Sequence, residues 1–139
     1  MNTSLKDIKH QFFTYRNGII ADTLRPLMPC YNVIFGLQVP QIAAIARETE
    51  RSEDLARQLW TDRGVRESRL LAPYLFCTDN MSEDDSVALA LDVQTQEEAD
   101  MLAFRFLKRH PAAASILARL EATAPESPSA RSLRNHLKN

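Results

Sequence analysis

Residues 55–75 read LARQLWTDRGVRESRLLAPYL and predict two short amphipathic helices joined by a tight turn. The apolar residues recur at helical spacing, Leu55, Leu59 and Trp60 in the first segment and Val65, Leu71, Ala72 and Leu75 in the second. The turn is expected at Asp62-Arg63-Gly64, with Gly64 in the left-handed conformation that ends many helices. Such a hairpin cannot bury its apolar face alone, so we expect similar helix pairs to stack on either side of it.

About eight helical segments are predicted along the chain. Several begin with a side chain that can cap the first turn, namely Ser4, Ser52, Ser82 and Thr95, the last with Glu98 in a capping box. Pro40 and Pro111 suit a first turn, where the missing proline N–H would have no partner anyway. The segments cover residues 4–15 with a short continuation at 19–25, then 40–49, 53–61, 65–75, a helix starting after 82, 95–109, 111–122 and 128–137. Residues 27–39 are expected to form an ordered, partly buried loop.

Length and composition set the class of protein. The chain of 139 residues contains only 3 Gly and is expected to form one all-α domain over residues 1–139. The longest apolar run, residues 70–76, is too short to span a bilayer, and the N-terminus has no signal-peptide pattern, so we expect a cytoplasmic protein. The histidines His10, His110 and His136 have no ligands at metal-site spacing, and no Gly-rich phosphate loop is present. We therefore expect no metal and no cofactor.

The charges are unevenly distributed although the net charge is only −1. Residues 77–100 hold 8 acidic residues and no Lys or Arg, whereas residues 101–139 hold 7 basic and 2 acidic residues. A nearly neutral protein can therefore carry a local basic surface. The same charges could also simply decorate solvent-exposed helix faces.

Individual residues of the hairpin are candidates for phosphate contacts. Arg66 and Arg69 are expected one turn apart on the polar side of their helix, with Arg63 just before it, and guanidinium groups bind phosphate oxygens well. The alternative is a solvated face paired locally with Asp62. Glu67 falls on the apolar side, where a buried carboxylate needs a partner, and an Arg from a neighbouring helix is the expected one. Trp60 is expected to fill the core between helix pairs.

Three sequence blocks carry a family resemblance: FFTYRNGIIADTLR at residues 12–25, FGLQVPQIAAIAR at 35–47 and LARQLWTDRGVRESRLLA at 55–72. Together they resemble the N-terminal part of the bacterial DNA-alkylation-repair proteins, the AlkD-like family. The resemblance covers about half of the chain. It implies a HEAT-like, armadillo-type superhelix of stacked antiparallel helix pairs, with a basic concave face that holds duplex DNA.

The resemblance also implies a site for releasing alkylated bases, lined by tryptophans and containing a carboxylate. This chain has a single tryptophan, Trp60, and it lies in the hairpin. Where the aromatic pair and the carboxylate are sought, the sequence reads VQTQEEADMLAFRF, and Asp100 is the candidate catalytic residue. Asp100 is expected on the apolar arc of its helix, with Phe104 and Leu107. The chain is thus similar to a shortened member of the family, expected to bind DNA rather than to excise bases.

Two functions of different classes follow. The first is a DNA-binding helical-repeat protein that contacts phosphates of duplex DNA through Arg63, Arg66, Arg69, Arg105, Lys108 and Arg109. The second is a non-catalytic protein–protein interaction module of the same fold, which would use the acidic residues 79–100 to bind a basic partner or a second copy. A homodimer is a further expectation, with Ala112, Ile116, Leu117 and Leu120 as an end surface unless they belong to the core.

Overall fold

The computed structural model describes residues 3–137, and within this range the protein is all-helical. One 3-10 turn, Leu107–Arg109, follows the seventh helix. The helices are α1 Leu5–Thr14, α2 Gly18–Leu24, α3 Val39–Glu48, α4 Glu53–Thr61, α5 Arg66–Leu75, α6 Glu83–Leu91, α7 Gln96–Arg105, α8 Ala113–Thr123 and α9 Pro128–Leu137. The all-α prediction is therefore confirmed. Among the described residues, no helix has the length and apolar character required to cross a membrane.

The predicted caps account for four of the nine helix starts among the described residues. Ser4, Ser52, Ser82 and Thr95 each accept a hydrogen bond from the backbone N–H three residues later, which satisfies one donor of the first turn. At Thr95 the expected capping box is only half formed, because the Glu98 carboxylate accepts from the backbone N–H of Gln94 at 3.0 Å. Pro40 lies in the first turn of α3, as predicted. Pro111 precedes the first residue of α8 by two positions.

The chain separates into two compact units, Met1–Phe76 and Cys77–Asn139. In the first unit α4 packs extensively on α5, which also contacts α3, while α1 packs on α4. The fully buried side chains there include Ile8, Phe12, Leu37, Ile42, Ile45, Leu59, Leu70 and Leu71. The helical hairpin at residues 55–75 is thus the centre of this unit. The expectation of one domain over residues 1–139 stays a prediction.

Two glycines in the first unit differ from expectation. Gly64 does not adopt the left-handed conformation, and α4 ends at Asp62 with φ −81°. The Gly64 carbonyl oxygen accepts hydrogen bonds from the backbone N–H groups of Asn32 and Val33, at 2.8 and 2.9 Å, and these bonds tie the turn to the loop of residues 27–39. Among the described residues, the glycine that has a positive φ is Gly36, with φ 87°, and it lies in the loop of residues 27–39. That loop is ordered and partly buried, as predicted, because Ile34 and Leu37 lie in the core.

In the second unit each helix packs mainly on the helix two positions along the chain. The pairs are α6 with α8 and α7 with α9, and α8 also contacts α9. Helix α7 ends at Arg105, four residues before its predicted end, because Phe106 leaves the helical conformation at φ −131°, ψ −64°. Ile116 and Leu120 are fully buried, so these two residues of the candidate dimer surface belong to the core.

Candidate nucleic-acid interface

A buried ionic cluster holds the loop of residues 35–37 against the start of α5. The Glu67 carboxylate is fully buried and accepts hydrogen bonds from three consecutive backbone N–H groups, those of Phe35, Gly36 and Leu37, at 3.0, 3.0 and 3.3 Å. The Arg66 guanidinium adds an ion pair to Glu67 at 2.7 Å and donates to the Leu37 carbonyl at 3.0 Å. The carboxylate thus has the partners that burial demands. We expected the ion-pair partner of Glu67 to be an Arg from a neighbouring helix, but it is Arg66 of the same helix.

Arg69 is buried in a second contact within the hairpin. Its guanidinium carbon lies 3.6 Å from the centroid of the Trp60 ring, and its Nη1 donates to the Trp60 carbonyl at 2.6 Å. Phe76 approaches the same ring edge-on at 6.5 Å between centroids. Trp60 is 4% exposed, which confirms that it fills the core. A desolvated cation over an indole ring stabilises the hairpin by joining its two helices.

The placement of Arg66 and Arg69 on a polar helix side was wrong, since both are buried, at 4% and 0% exposure. The sequence pattern misleads at Arg66 because the loop of residues 35–37 returns over the start of α5. At Arg69 it misleads because Trp60 of α4 covers the guanidinium group. Their guanidinium groups contact protein atoms in this structure, which leaves no accessible edge for a phosphate. Arg63, by contrast, is exposed.

Asp100 lies on the exposed face of α7, so its expected position on an apolar arc was wrong. Its Oδ1 accepts hydrogen bonds from Gln96 Nε2 at 3.1 Å and from the hydroxyl of Ser132 on α9. Leu107 is fully buried, whereas Phe104 is 38% exposed and lies on the side of α7 that faces solvent. The carboxylate is therefore neither desolvated nor enclosed by apolar groups.

Cations surround the exposed ring of Phe104 at the end of α7. Lys108 Nζ lies 4.0 Å from the ring centroid, and the guanidinium carbon of Arg105 lies 4.8 Å from it. The His136 ring of α9 approaches Phe104 at 5.5 Å between centroids. We name Phe104, Arg105, Lys108, Arg109 and His136 the α7-end cluster. Sequence analysis identified its three cations but missed Phe104 and His136, although the four-residue spacing of Phe104 and Lys108 was an available signal.

Lys108 and Arg109 of the α7-end cluster differ from Arg119 and Arg134 in their pairing. Arg119 pairs with Glu83 and Asp84, and Arg134 pairs with Glu121. Lys108 and Arg109 form no ion pair with any residue that the structure describes. Their charge is therefore not neutralised locally, and it can act on an anionic ligand.

Part of the acidic segment, residues 79–100, is already used within the second unit. Hydrogen bonds from Arg119 and then Ser115 hold the pKa of Glu83 below its ordinary value of 4.5. Arg119 Nη1 lies 3.0 Å from Glu83 and 2.7 Å from Asp84. Glu98 is fully buried. The segment thus presents fewer unpaired carboxylates than its composition indicates.

The substitution Arg119→Ala is expected to raise the pKa of Glu83 towards 4.5, since its strongest hydrogen-bond donor is lost. Because the folded-state pKa is depressed, the pair contributes stability above the unfolded-state pKa and loses it as the pH falls through the folded-state value. Titration of the side-chain carboxyl by NMR measures the shift. Arg134→Ala is the matched control, since Arg134 pairs with Glu121. An unchanged Glu83 pKa in Arg119→Ala would contradict this assignment.

Comparison with protein-family models, with curated proteins and with solved structures found no match for this chain. Within residues 3–137, no group of three or more His, Cys, Asp or Glu side chains is arranged to hold a metal ion. The candidate interface therefore rests on the geometry of the α7-end cluster alone.

Proposed function

We propose that this chain is a HEAT-like helical-repeat protein that binds duplex DNA through the α7-end cluster, and that its role lies in DNA alkylation repair. The observation that carries the DNA binding is the exposed ring of Phe104 with Lys108 Nζ 4.0 Å from its centroid, where neither Lys108 nor the adjacent Arg109 forms an ion pair with a described residue. Cationic side chains of this kind supply most of the affinity for a phosphate backbone. Arg105 belongs to the same cluster, whereas Arg66 and Arg69 support the fold of the first unit.

The pairing of helices supports the repeat architecture. In stacked helix pairs, each helix contacts both its own partner and the corresponding helix of the next pair. The contacts of α6 with α8 and of α7 with α9 agree with stacking between neighbouring helix pairs in the second unit, and α8 contacts α9 within one pair. Among the described residues, α6 and α7 contact each other much less. The extensive packing of α4 on α5 agrees with one helix pair in the first unit. The proposed relationship to the AlkD-like family rests on the three sequence blocks at residues 12–25, 35–47 and 55–72, and it implies this repeat architecture.

We propose binding without a base-excision step. A carboxylate that stabilises a developing sugar cation acts most strongly in a water-excluded site. Asp100 is exposed and already accepts hydrogen bonds from Gln96 and Ser132. Its surroundings are those of a polar helix surface, which supports a structural contact between α7 and α9.

Reversing the two unpaired cations is expected to weaken DNA binding strongly. In the variant Lys108→Glu/Arg109→Glu, two phosphate-binding charges become repulsive, and the affinity for a short duplex is expected to fall at least about tenfold at low salt. Both side chains are at least partly exposed, so the fold is expected to persist. Fluorescence anisotropy with a labelled duplex measures the affinity, and circular dichroism checks the helix content.

The matched control is Lys6→Glu/Arg47→Glu, which reverses two exposed cations of the first unit and changes the net charge equally. We expect this control to retain affinity within about threefold, because Lys6 and Arg47 are not part of the α7-end cluster and contact no phosphate in the proposed interface. An equal loss in both double variants would show that overall charge, rather than the α7-end cluster, determines binding. Unchanged affinity in Lys108→Glu/Arg109→Glu would overturn the proposed interface.

A further inference from the structure

We propose that Phe104 is a stacking surface for an unpaired base, so that the preferred ligand is DNA containing a single-stranded gap or an extruded nucleotide. This inference rests on the proposed DNA binding and goes beyond it. Phosphate contacts alone would not distinguish a continuous duplex from an interrupted one. The ring of Phe104 can make this distinction, because it offers an apolar surface that only an unstacked base can reach.

The exposure of Phe104 is the first observation behind this proposal. Its neighbours along the chain, Ala103, Phe106 and Leu107, are completely buried, whereas Phe104 is 38% exposed on the same helix end. The Phe104 ring is therefore only partly covered by its own unit. The helix end thus presents an aromatic surface directly beside uncompensated charge.

The arrangement of cations around the ring is the second observation. Lys108 Nζ and the guanidinium carbon of Arg105 lie 4.0 and 4.8 Å from the ring centroid, and the imidazole ring of His136 approaches at 5.5 Å between centroids. Binding sites for single-stranded nucleic acids combine an aromatic ring that stacks on a base with cations that contact the adjacent phosphates. Both components lie here within the reach of one nucleotide.

Lys108 has a specific part in this arrangement. In the free protein its ammonium lies over the ring, a contact that an exposed site stabilises only weakly. The lysine side chain is long and flexible, and it can move from the ring to a phosphate oxygen while a base takes its place on the ring. A single nucleotide would then satisfy both groups, the base on Phe104 and the phosphate on Lys108.

The test compares three DNA ligands of the same length: an intact duplex, the same duplex with a short gap in one strand, and a single strand of thymidines. We expect the wild-type protein to bind the gapped duplex and the single strand about tenfold tighter than the intact duplex. Phe104→Ala is expected to abolish this preference while the intact-duplex affinity stays within about twofold. Phe104→Trp is expected to retain the preference, since indole also stacks on bases, and it separates loss of stacking from loss of folding.

Each outcome separates this inference from the function on which it rests. Salt-sensitive binding of all three ligands with equal affinity, or a preference that survives in Phe104→Ala, would overturn the stacking role and leave DNA binding intact. Absence of binding to any of the ligands at low salt would overturn both. A polyglutamate peptide serves as a further probe. If it competed as well as the single strand, the cluster would be a site for acidic peptides, and the inference would fall.

Discussion

Replacing Glu67 by alanine is expected to lower the free energy of unfolding of the first unit by about 3–5 kcal/mol, the range seen when one partner of a buried ion pair is removed. The substitution leaves the Arg66 guanidinium buried opposite a cavity, and it removes the acceptor for the N–H groups of residues 35–37. A loss of this size is a large fraction of the stability of an ordinary domain. Urea denaturation followed by Trp60 fluorescence measures it, because Trp60 lies in the same unit.

Glu48→Ala is the matched control for this prediction. Glu48 is an exposed glutamate of α3 in the same unit, and its replacement is expected to change stability by less than about 0.5 kcal/mol. Glu67→Gln keeps the shape and one acceptor oxygen, so its loss is expected to be smaller than that of Glu67→Ala. If Glu67→Ala were as stable as Glu48→Ala, the carboxylate would not be what holds the loop.

Gly36→Ala is expected to destabilise the same unit by at least about 2 kcal/mol, since a left-handed residue with a side chain is strained. The φ angle of Gly36 is 87°, and an added Cβ would lie 2.3 Å from the Asn17 carbonyl oxygen and 2.9 Å from the Ala21 nitrogen. Both neighbours are backbone atoms at the start of α2, so neither can rotate away. Thermal and urea denaturation of the variant measure the loss.

Gly18 is the first residue of α2, the helix that Gly36 approaches, and the substitution Gly18→Ala is expected to have the opposite effect. Nothing lies within 4 Å of a Cβ added at Gly18, and no positive φ is present there. Because alanine restricts the unfolded chain more than glycine, this variant is expected to gain about 0.4–1 kcal/mol. Equal effects at Gly36 and Gly18 would contradict the close approach of the loop to α2.

The helix starts were predictable from sequence because a cap is a local device. Ser4, Ser52 and Ser82 each contact a backbone N–H only three residues away, so no tertiary information is needed to anticipate them. The end of α7 was less predictable. It depends on the burial of Phe106 against the rest of its unit, and no local signal marks that position.

The candidate site was predictable only where it depends on composition. The basic residues at 105–109 stood out from the charge pattern, and the structure shows Lys108 and Arg109 outside the ion pairs of their unit. The burial of Arg66 and Arg69 could not be anticipated. Arg66 is buried against Leu37, whose carbonyl oxygen meets α5 only in the folded unit, and Arg69 is buried against Trp60 of the preceding helix.

The salt dependence of binding to a short DNA duplex tests the proposed function most directly. Anisotropy titrations over a range of salt concentrations give the slope of log K against log salt, which reports the number of phosphates contacted. With Arg105, Lys108 and Arg109 at the interface, we expect a slope between about −2 and −3 for the wild type, reduced by about 2 in Lys108→Glu/Arg109→Glu. A slope near zero, or no binding even at low salt, would contradict DNA binding through the α7-end cluster.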